Sequence, residues 1–377
     1  MKKFYITVCL LLLTACSYDT IASIKTETLS ETEEAKDEAV AEKAVPAVVT
    51  EGKEKMDTVT LKEESLFKYE VKDADYNYNV FVYAENAEKK DVFYSGHYAF
   101  YLAEKDSTVA YKQNVLKAEE IFTFKTGNDE QIYPLKVGNK TIFAVAEQSD
   151  EVHTQYLFTG IDNGELKLIS QGDIKSLNDI KIRNINQKYI QTIRRVSSSD
   201  SIQFTTWGIE KETLKLVEQD KETITDKEEA AFWLNSLREK NAFYYPFKDL
   251  DLNADLLAKA KQGIPVGSPY PLGTNIQEIK KSEPNYMQEG VKEDGPYVMY
   301  PEITYYYNAE DSKVTAAEIP GDRLRTTLAD AEEIFRQFGE TSKNDTGTSI
   351  YLNTEKYQIE AVADQSNEVK WLRLKRR

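Results

Sequence analysis

Alternating apolar and polar residues dominate the chain from residue 67 to residue 223. Stretches such as YNYNVFVYAE, GHYAFYLAEKD and KTIFAVAEQ are rich in Tyr, Phe, Val and Ile, and turn residues such as Asp162-Asn163-Gly164 separate them. A period of two indicates half-buried β-strands, because successive side chains of a strand point to opposite faces. We therefore predict a mostly antiparallel β domain over residues 67–223.

The predicted β domain contains an internal repeat. Residues 140–171 align without a gap on residues 188–219, with ten identities in 32 positions and a spacing of 48 residues. A fainter copy begins at YAFYLAEKDS, residues 98–107. Strand repeats of this length resemble propeller blades, but this span holds only three such units and a closed ring needs at least four. We expect an open stack of antiparallel sheets or a sandwich.

Helical spacing replaces the alternation over residues 224–263, which we predict to be a helical junction between two domains. Thr225 and Glu228 form a capping-box pattern ahead of EEAAFWLNSLREK. A second short helix is predicted in NADLLAKAKQG, with Asn253 as its cap and Gly263 as its stop.

From residue 264 to the end, the pattern predicts a helix followed by strands, twice. In the first unit Thr274 opens a helix, with Gln277 as its capping-box partner, ahead of YVMYPEITYYYN and KVTAAEI. In the second unit TTLADAEEIFRQFG has apolar residues at helical spacing and ends at Gly339, ahead of TSIYLN, KYQIEAVA and EVKWLRLK. The expected class is α+β: a repeated β domain followed by a C-terminal tandem helix-plus-antiparallel-sheet repeat domain over residues 264–377.

This last segment resembles the C-terminal domain of the YjgB-like lipoproteins of Gram-positive bacteria, a family of unassigned function. Its pattern is Gln-Gly before a linker, Gly-Thr opening a helix, and Gly-x-Pro after it. The matching residues here are Gln262-Gly263, Gly273-Thr274, Pro284 without its glycine, and Gly339 without its proline. The domain is in turn similar to the helix-plus-sheet repeats of β-lactamase inhibitory proteins and of small outer-membrane assembly lipoproteins, which bind proteins on an open sheet face. The resemblance implies a binding fold and supplies no catalytic residue.

The chain begins with MKKFYITVCLLLLTACSYDT, which predicts an export signal over residues 1–15. Its apolar run is about half of the roughly 20 residues that a membrane-spanning helix needs, and it follows two lysines. Small residues lead directly into Cys16, a pattern that bacterial lipoproteins share. By that resemblance Cys16 is the lipidation site, and two acyl chains on it would anchor the protein durably to the membrane, on its extracytoplasmic side.

Residues 16–66 are acidic and almost free of aromatic residues, so we predict a disordered tether, with a short helix in ETEEAKDEAVAEKA as the alternative. Cys9, the other cysteine, lies within the signal, so no disulfide is expected in the exported chain. The whole chain has 48 Lys and Arg against 64 Asp and Glu, a net charge of −16, which argues against nucleic acid as a partner.

Motifs for catalysis or metal binding are not recognisable in the sequence. Two histidines, His97 and His153, are too few for a typical zinc site, and we interpret His153 as a strand residue. The run DLDLNADLL begins like a calcium loop, but the required Gly and Glu are replaced by Ala254 and Ala260, so helix capping is the preferred interpretation. We predict no metal, no cofactor and no enzymatic activity. With 64 Asp and Glu residues, the sequence neither identifies nor dismisses a catalytic pair of carboxylates.

Tyrosines are the remaining unusual feature, with 24 Tyr against 15 Phe. The cluster Tyr305, Tyr306 and Tyr307 lies on a predicted strand, so one of its two faces is a candidate binding surface. The predicted function is a lipid-anchored, extracytoplasmic binding protein of the bacterial cell envelope, with a protein or a wall polymer as ligand. The alternatives are an envelope hydrolase that uses paired carboxylates and a solute receptor. The receptor is the weaker of the two, because the first half of the chain lacks alternating strands and helices.

Overall fold

The structure, a computed structural model, describes residues 48–73, 75–125, 131–170, 174–196, 201–210 and 214–377. The predicted signal, Cys16 and most of the tether lie outside the described residues. The helices are α1 (Thr58–Glu64), α2 (Lys227–Glu239), α3 (Ala254–Lys261), α4 (Ile276–Ser282) and α5 (Leu328–Arg336), and a single 3-10 turn covers Gly321–Arg323.

Strands are the commonest element of the described residues. Up to α2 they are β1 (Lys55–Asp57), β2 (Phe67–Asp73), β3 (Tyr76–Tyr83), β4 (Glu88–Lys90), β5 (Phe93–Gly96), β6 (Ala99–Glu104), β7 (Val109–Gln113), β8 (Phe122–Lys125), β9 (Ile132–Val137), β10 (Lys140–Ser149), β11 (His153–Asp162), β12 (Glu165–Leu168), β13 (Ile174–Leu177), β14 (Arg183–Ile185), β15 (Tyr189–Arg195), β16 (Ile202–Ile209) and β17 (Leu216–Ile224). After α4 they are β18 (Gln288–Lys292), β19 (Gly295–Met299), β20 (Thr304–Tyr307), β21 (Val314–Pro320), β22 (Thr341–Lys343), β23 (Ser349–Asn353), β24 (Tyr357–Ala363) and β25 (Val369–Arg376). All pairings are antiparallel and the class is α+β, which confirms the predicted fold class.

The N-terminal part is a stack of three sheets. The first sheet has the order β1-β7-β6-β3-β2, the second β12-β11-β10-β9 with β13 also paired to β11, and the third β14-β15-β16-β17, while β4, β5 and β8 form a small additional sheet. Alternate residues of one strand enter different cores: Phe143 of β10 packs against the first sheet, and its neighbour Ile142 packs toward the third. The open stack, one of the two predicted arrangements, is therefore the observed one.

The sequence repeat corresponds to a structural repeat. Strands β9 to β12 and strands β14 to β17 form successive four-stranded meanders, and the aligned residues place β10 on β15 and β11 on β16. Gly160 and Gly208 occupy the same place in the two units. Each packs tightly against a neighbouring side chain, since a Cβ at residue 160 would lie 3.3 Å from Ile142 Cγ2 and one at residue 208 would lie 3.0 Å from Gln219 Cγ.

Helices cover both outer faces of the stack. The first, α1, buries Leu61 completely against Phe81 and Tyr101 of the first sheet. This corrects the predicted tether, whose last residues form β1 and α1, because Asp57 caps the helix and Leu61 has an apolar sheet face to cover. At the other end α2 packs Trp233 and other apolar residues on the third sheet.

The helix caps differ from two of the sequence predictions. Asp226, rather than Thr225, accepts the hydrogen bond from Glu229 N at the start of α2, at 2.8 Å. Asn275, rather than Thr274, caps α4 by accepting from Gln277 N. In each case the adjacent residue also carries a side-chain oxygen that can cap, so the sequence alone does not fix the register. Asn253 caps α3 as predicted.

The C-terminal part is one eight-stranded sheet with the order β18-β19-β20-β21-β25-β24-β23-β22, which we call the C-terminal sheet. It consists of two four-stranded meanders joined where β21 pairs with β25, and each meander follows a helix, α4 or α5. The first strand of each meander, β18 and β22, adds to the predicted strands. Helices α3, α4 and α5 pack on one face, where Leu257, Ile279, Phe335 and the strand residues facing them form the core.

Candidate functional site

The sequence predicts a binding role for Tyr305, Tyr306 and Tyr307, and the structure places these residues on both faces of β20. Tyr305 is 2% exposed within the helix-covered core, and its hydroxyl lies 2.8 Å from Ser268 Oγ. Tyr306 is also 2% exposed, but on the opposite face, and Tyr307 is half-buried at the end of the strand. Because the rings of Tyr305 and Tyr306 are covered, neither forms an exposed patch by itself, and their binding role stays a prediction.

The other candidate residues have local structural roles. His97 Nδ1 lies 3.1 Å from Glu120 O, and His153 Nε2 accepts a hydrogen bond from the backbone N–H of Arg195 at 3.1 Å. In the DLDLNADLL run, Asp249 forms an ion pair with Arg323. Among the residues that the structure describes, no group of three or more His, Cys, Asp or Glu side chains is arranged to hold a metal ion.

The strongest candidate for recognition is the face of the C-terminal sheet opposite α3, α4 and α5, which we call the open face. Alternation along β25 builds its centre: Leu372 and Leu374 enter the core, so Trp371, Arg373 and Lys375 point to the open face. The same alternation on β19 and β20 places Tyr297 and Tyr306 there, next to Ala316 of β21.

Aromatic and cationic side chains form a continuous row across the open face. Lys292 Nζ lies 4.8 Å from the centre of the Tyr297 ring, and the Tyr297 and Tyr306 ring centres are 6.2 Å apart. The guanidinium carbon of Arg373 then lies 5.1 Å from the Tyr306 ring centre and 4.6 Å from that of Trp371. We call these five residues the aromatic–cation ladder. Since cations are attracted to the faces of aromatic rings, each contact fixes the orientation of the next side chain.

Carboxylates hold the arginine at the centre of this ladder. Arg373 Nε donates to Glu318 Oε2 at 2.9 Å, and its Nη1 donates to Asp294 Oδ2 at 2.9 Å. Burial by itself lowers the pKa of Arg373, but the hydrogen bond and charge of Glu318 outweigh burial and leave the pKa raised. Burial raises the pKa of Tyr306 to about 12, so its phenol stays neutral. Arg373 is thus a permanent, oriented cation.

Beside the ladder, apolar surface remains accessible. Val362 of β24 pairs directly with Trp371, and Glu360, two residues before Val362 and on the same face, pairs with Tyr351 of β23. All three of Tyr351, Val362 and Trp371 are half-buried, and we call them the open-face patch. Tyr and Trp together with a nearby Arg are the residues most enriched at the energetic centres of protein interfaces.

The open face can recognise a partner by stacking, apolar contact and charge. The sequence predictions placed a candidate surface around Tyr306 but missed Trp371 and Arg373, because they weighed the tyrosine cluster alone. The signal was present in EVKWLRLK: the two leucines must face the core, so the tryptophan, arginine and lysine between them must share the opposite face.

Comparisons with known proteins do not assign the chain to a family. No protein-family model matches the sequence, and no curated protein matches it significantly. Among the described residues, the helices are all too short or too polar to cross a bilayer.

Proposed function

We propose that the chain is a lipid-anchored, extracytoplasmic binding protein of the bacterial cell envelope, without enzymatic activity. Its partner is another envelope protein, which it binds through the open face of the C-terminal sheet. Cys16 carries the anchor, and the residues between it and the first sheet separate the folded part from the membrane. Confinement near the membrane raises the effective concentration of the open face toward partners there.

The observation that supports this proposal most directly is the open-face patch beside the aromatic–cation ladder. Tyr351, Val362 and Trp371 offer apolar surface that the fold leaves half-exposed, while Glu360 and Lys375 flank it with both charges. Interfaces commonly combine an aromatic and aliphatic centre with a polar rim. A wall polymer is the less favoured ligand, because the charges on this face are largely paired with one another.

Site-specific photo-crosslinking in native envelopes tests the partner surface. A photoreactive phenylalanine analogue in place of Tyr351 should give a discrete protein adduct. The same analogue in place of Phe232, which is 39% exposed on α2, is the matched control and should give none. Trp371→Ala should reduce the Tyr351 adduct at least tenfold, since the loss of a central interface tryptophan costs about 2 kcal/mol or more.

Equal adducts at residues 351 and 232, or no adduct at residue 351, would contradict the partner surface. Turnover of a muropeptide or oligosaccharide by the purified full chain, abolished by one carboxylate substitution, would instead support a hydrolase. The anchor has a separate test. Mass spectrometry of the native N-terminal peptide should find Cys16 diacylated, and Cys16→Ala should move the protein to the aqueous phase on detergent partitioning.

A further inference from the structure

A second candidate site lies in the β stack, formed by residues between 125 and 181, whereas the open face is formed by residues after 290. A cleft of about 520 Å³ opens between β9, β10 and β11 of the second sheet and the segment that joins β13 to β14. This volume is within the range of small-molecule sites in proteins, about 300–1,000 Å³. The cleft is therefore large enough for a ligand of one or two sugar rings.

Two tyrosines give the cleft an aromatic side. Tyr133 of β9 pairs with Ala144, and Tyr156 of β11 pairs with Ala146, so all four side chains lie on one face of the second sheet. Both tyrosines and Ala146 line the cleft, whereas Ala144 is fully buried. Aromatic rings suit the apolar faces of sugars, and both phenols keep their protons because burial raises their pKa values.

Two buried polar atoms at this place have no hydrogen-bond partner in the described part of the chain. One is the hydroxyl of Tyr133, which lines the cleft, and Tyr156 and the Ile182 backbone lie near it but outside hydrogen-bonding geometry. The other is Nε of Arg183, whose charge acts on Tyr133. Buried donors are almost always satisfied, so two neighbouring exceptions call for an acceptor.

The unsatisfied arginine is also a buried cation. Arg183 is 2% exposed, and its other nitrogens donate to Asn241 Oδ1, at 2.7 Å, and to Leu237 O. No carboxylate lies within 4 Å of its guanidinium among the described residues. A buried cation without a counter-charge is unfavourable, and an anion bound beside it would supply that charge.

The rim of the cleft also carries a positive charge. Lys181 lines it, and Asp179, the one carboxylate that lines it among the described residues, is held by Arg238 at 2.7 Å. The ammonium group of Lys181 favours a small anion in the cleft.

We propose that this cleft binds a small hydroxylated organic anion, a sugar that carries a carboxylate or a phosphate group. The anionic group accepts hydrogen bonds from the Tyr133 hydroxyl and, behind it, from Arg183 Nε. The sugar ring lies in the cleft, against the Tyr133 and Tyr156 side chains that line it. This site is independent of the open-face partner, so either proposal can fail without the other.

Calorimetric titration of the purified full chain tests the site with three probes: D-glucuronate, D-glucose 6-phosphate and D-glucose. One or both anions should bind, at least tenfold more tightly than glucose, because glucose offers no charge to Arg183. The stronger anion identifies carboxylate or phosphate as the preferred group. Binding should weaken as salt is raised.

Tyr133→Phe should fold normally, because the hydroxyl it removes has no partner in the structure, and should weaken anion binding about tenfold. Tyr357→Phe, which removes a phenol hydroxyl on the helix-covered side of the C-terminal sheet, is the control and should bind as the original chain does. Equal affinity for glucose and both anions, no binding of either anion at millimolar concentration, or full affinity in Tyr133→Phe would each overturn the proposal.

Discussion

A buried ion pair joins the segment after α2 to the C-terminal domain, and its loss should be costly. Arg323 lies in the 3-10 turn after β21, where Nε donates to Asp249 Oδ1 at 2.8 Å and Nη2 donates to Asp249 Oδ2 at 2.7 Å. Its Nη1 donates to Glu302 O at 2.9 Å. Replacing Arg323 by Met removes the charge and all three hydrogen bonds but keeps most of the apolar stem.

The size of the effect follows from the burial of the two partners. The Arg323 side chain is 8% exposed and that of Asp249 is 27% exposed. Removing one partner of a buried pair costs about 3–5 kcal/mol, because the other charge is left uncompensated. Water can reach Asp249, so Arg323→Met should fall at the low end, about 3 kcal/mol. Asp249→Asn leaves the less accessible charge unpaired and should cost at least as much.

The double-mutant cycle separates the pair from general damage. In Arg323→Met/Asp249→Asn both charges are gone, so its loss should be smaller than the sum of the two single losses by about 1–3 kcal/mol. Urea unfolding, followed both by tryptophan fluorescence and by far-UV circular dichroism, provides the free energies of unfolding. The free energies are compared for variants in which the two probes report the same transition, since this shows two-state unfolding. Single losses that add within about 0.5 kcal/mol, or an unchanged midpoint in Arg323→Met, would refute the reasoning.

Three further substitutions test other parts of the fold. Burial raises the pKa of Asp322 from 3.8 to about 6. Because the folded chain holds this proton more tightly than the unfolded chain, the protein loses stability as pH rises from about 4 to about 6. By urea unfolding, Asp322→Asn should therefore be more stable than the original chain at pH 7 and equal to it near pH 3. Leu61→Ala should cost about 2–5 kcal/mol by the same assay, whereas Val59→Ala, at a residue 58% exposed on the same helix, should change stability by less than about 0.5 kcal/mol. Gly263→Ala should lower the melting temperature more than Gly52→Ala does. Both glycines have positive φ, but only a Cβ at residue 263 would collide with a neighbouring tyrosine ring. Equal decreases in melting temperature would show that the tyrosine moves aside and relieves the collision.

Local patterns predicted much of the fold. The alternation in KTIFAVAEQ and its repeat 48 residues later correctly indicated successive meanders. The half-buried strands that a period of two predicts differ from β10, which is buried on both faces, because Phe143 and Ile142 enter two different cores. Helix α1 was missed because its seven residues bury Leu61 only against Phe81 and Tyr101, which come later in the chain. A short amphipathic segment in an acidic region has no local signal that distinguishes it from a tether.

The candidate sites were harder to predict, because both depend on contacts between distant residues. Tyr306 is buried because Arg373, 67 positions later, lies over its ring, and no local pattern shows this. The cleft in the stack depends on Arg183, which has no carboxylate partner within the described part of the chain, and this is a property of its surroundings and not of its sequence neighbours. Only the shared face of Trp371 and Arg373 could be inferred from spacing.

The proposed recognition role accounts for a feature of the open face that folding does not require. Elsewhere this chain covers its sheets: α1 and α2 close the two ends of the stack, and α3, α4 and α5 cover one face of the C-terminal sheet. Burying the remaining apolar area of Trp371 and its neighbours would stabilise the protein by about 25 cal/mol per Å², yet they stay half-exposed. The ladder meanwhile holds these side chains in fixed positions, so a partner would meet a surface that is already ordered. Side chains that are already ordered lose less conformational entropy when a partner binds, so this ordering lowers the cost of binding.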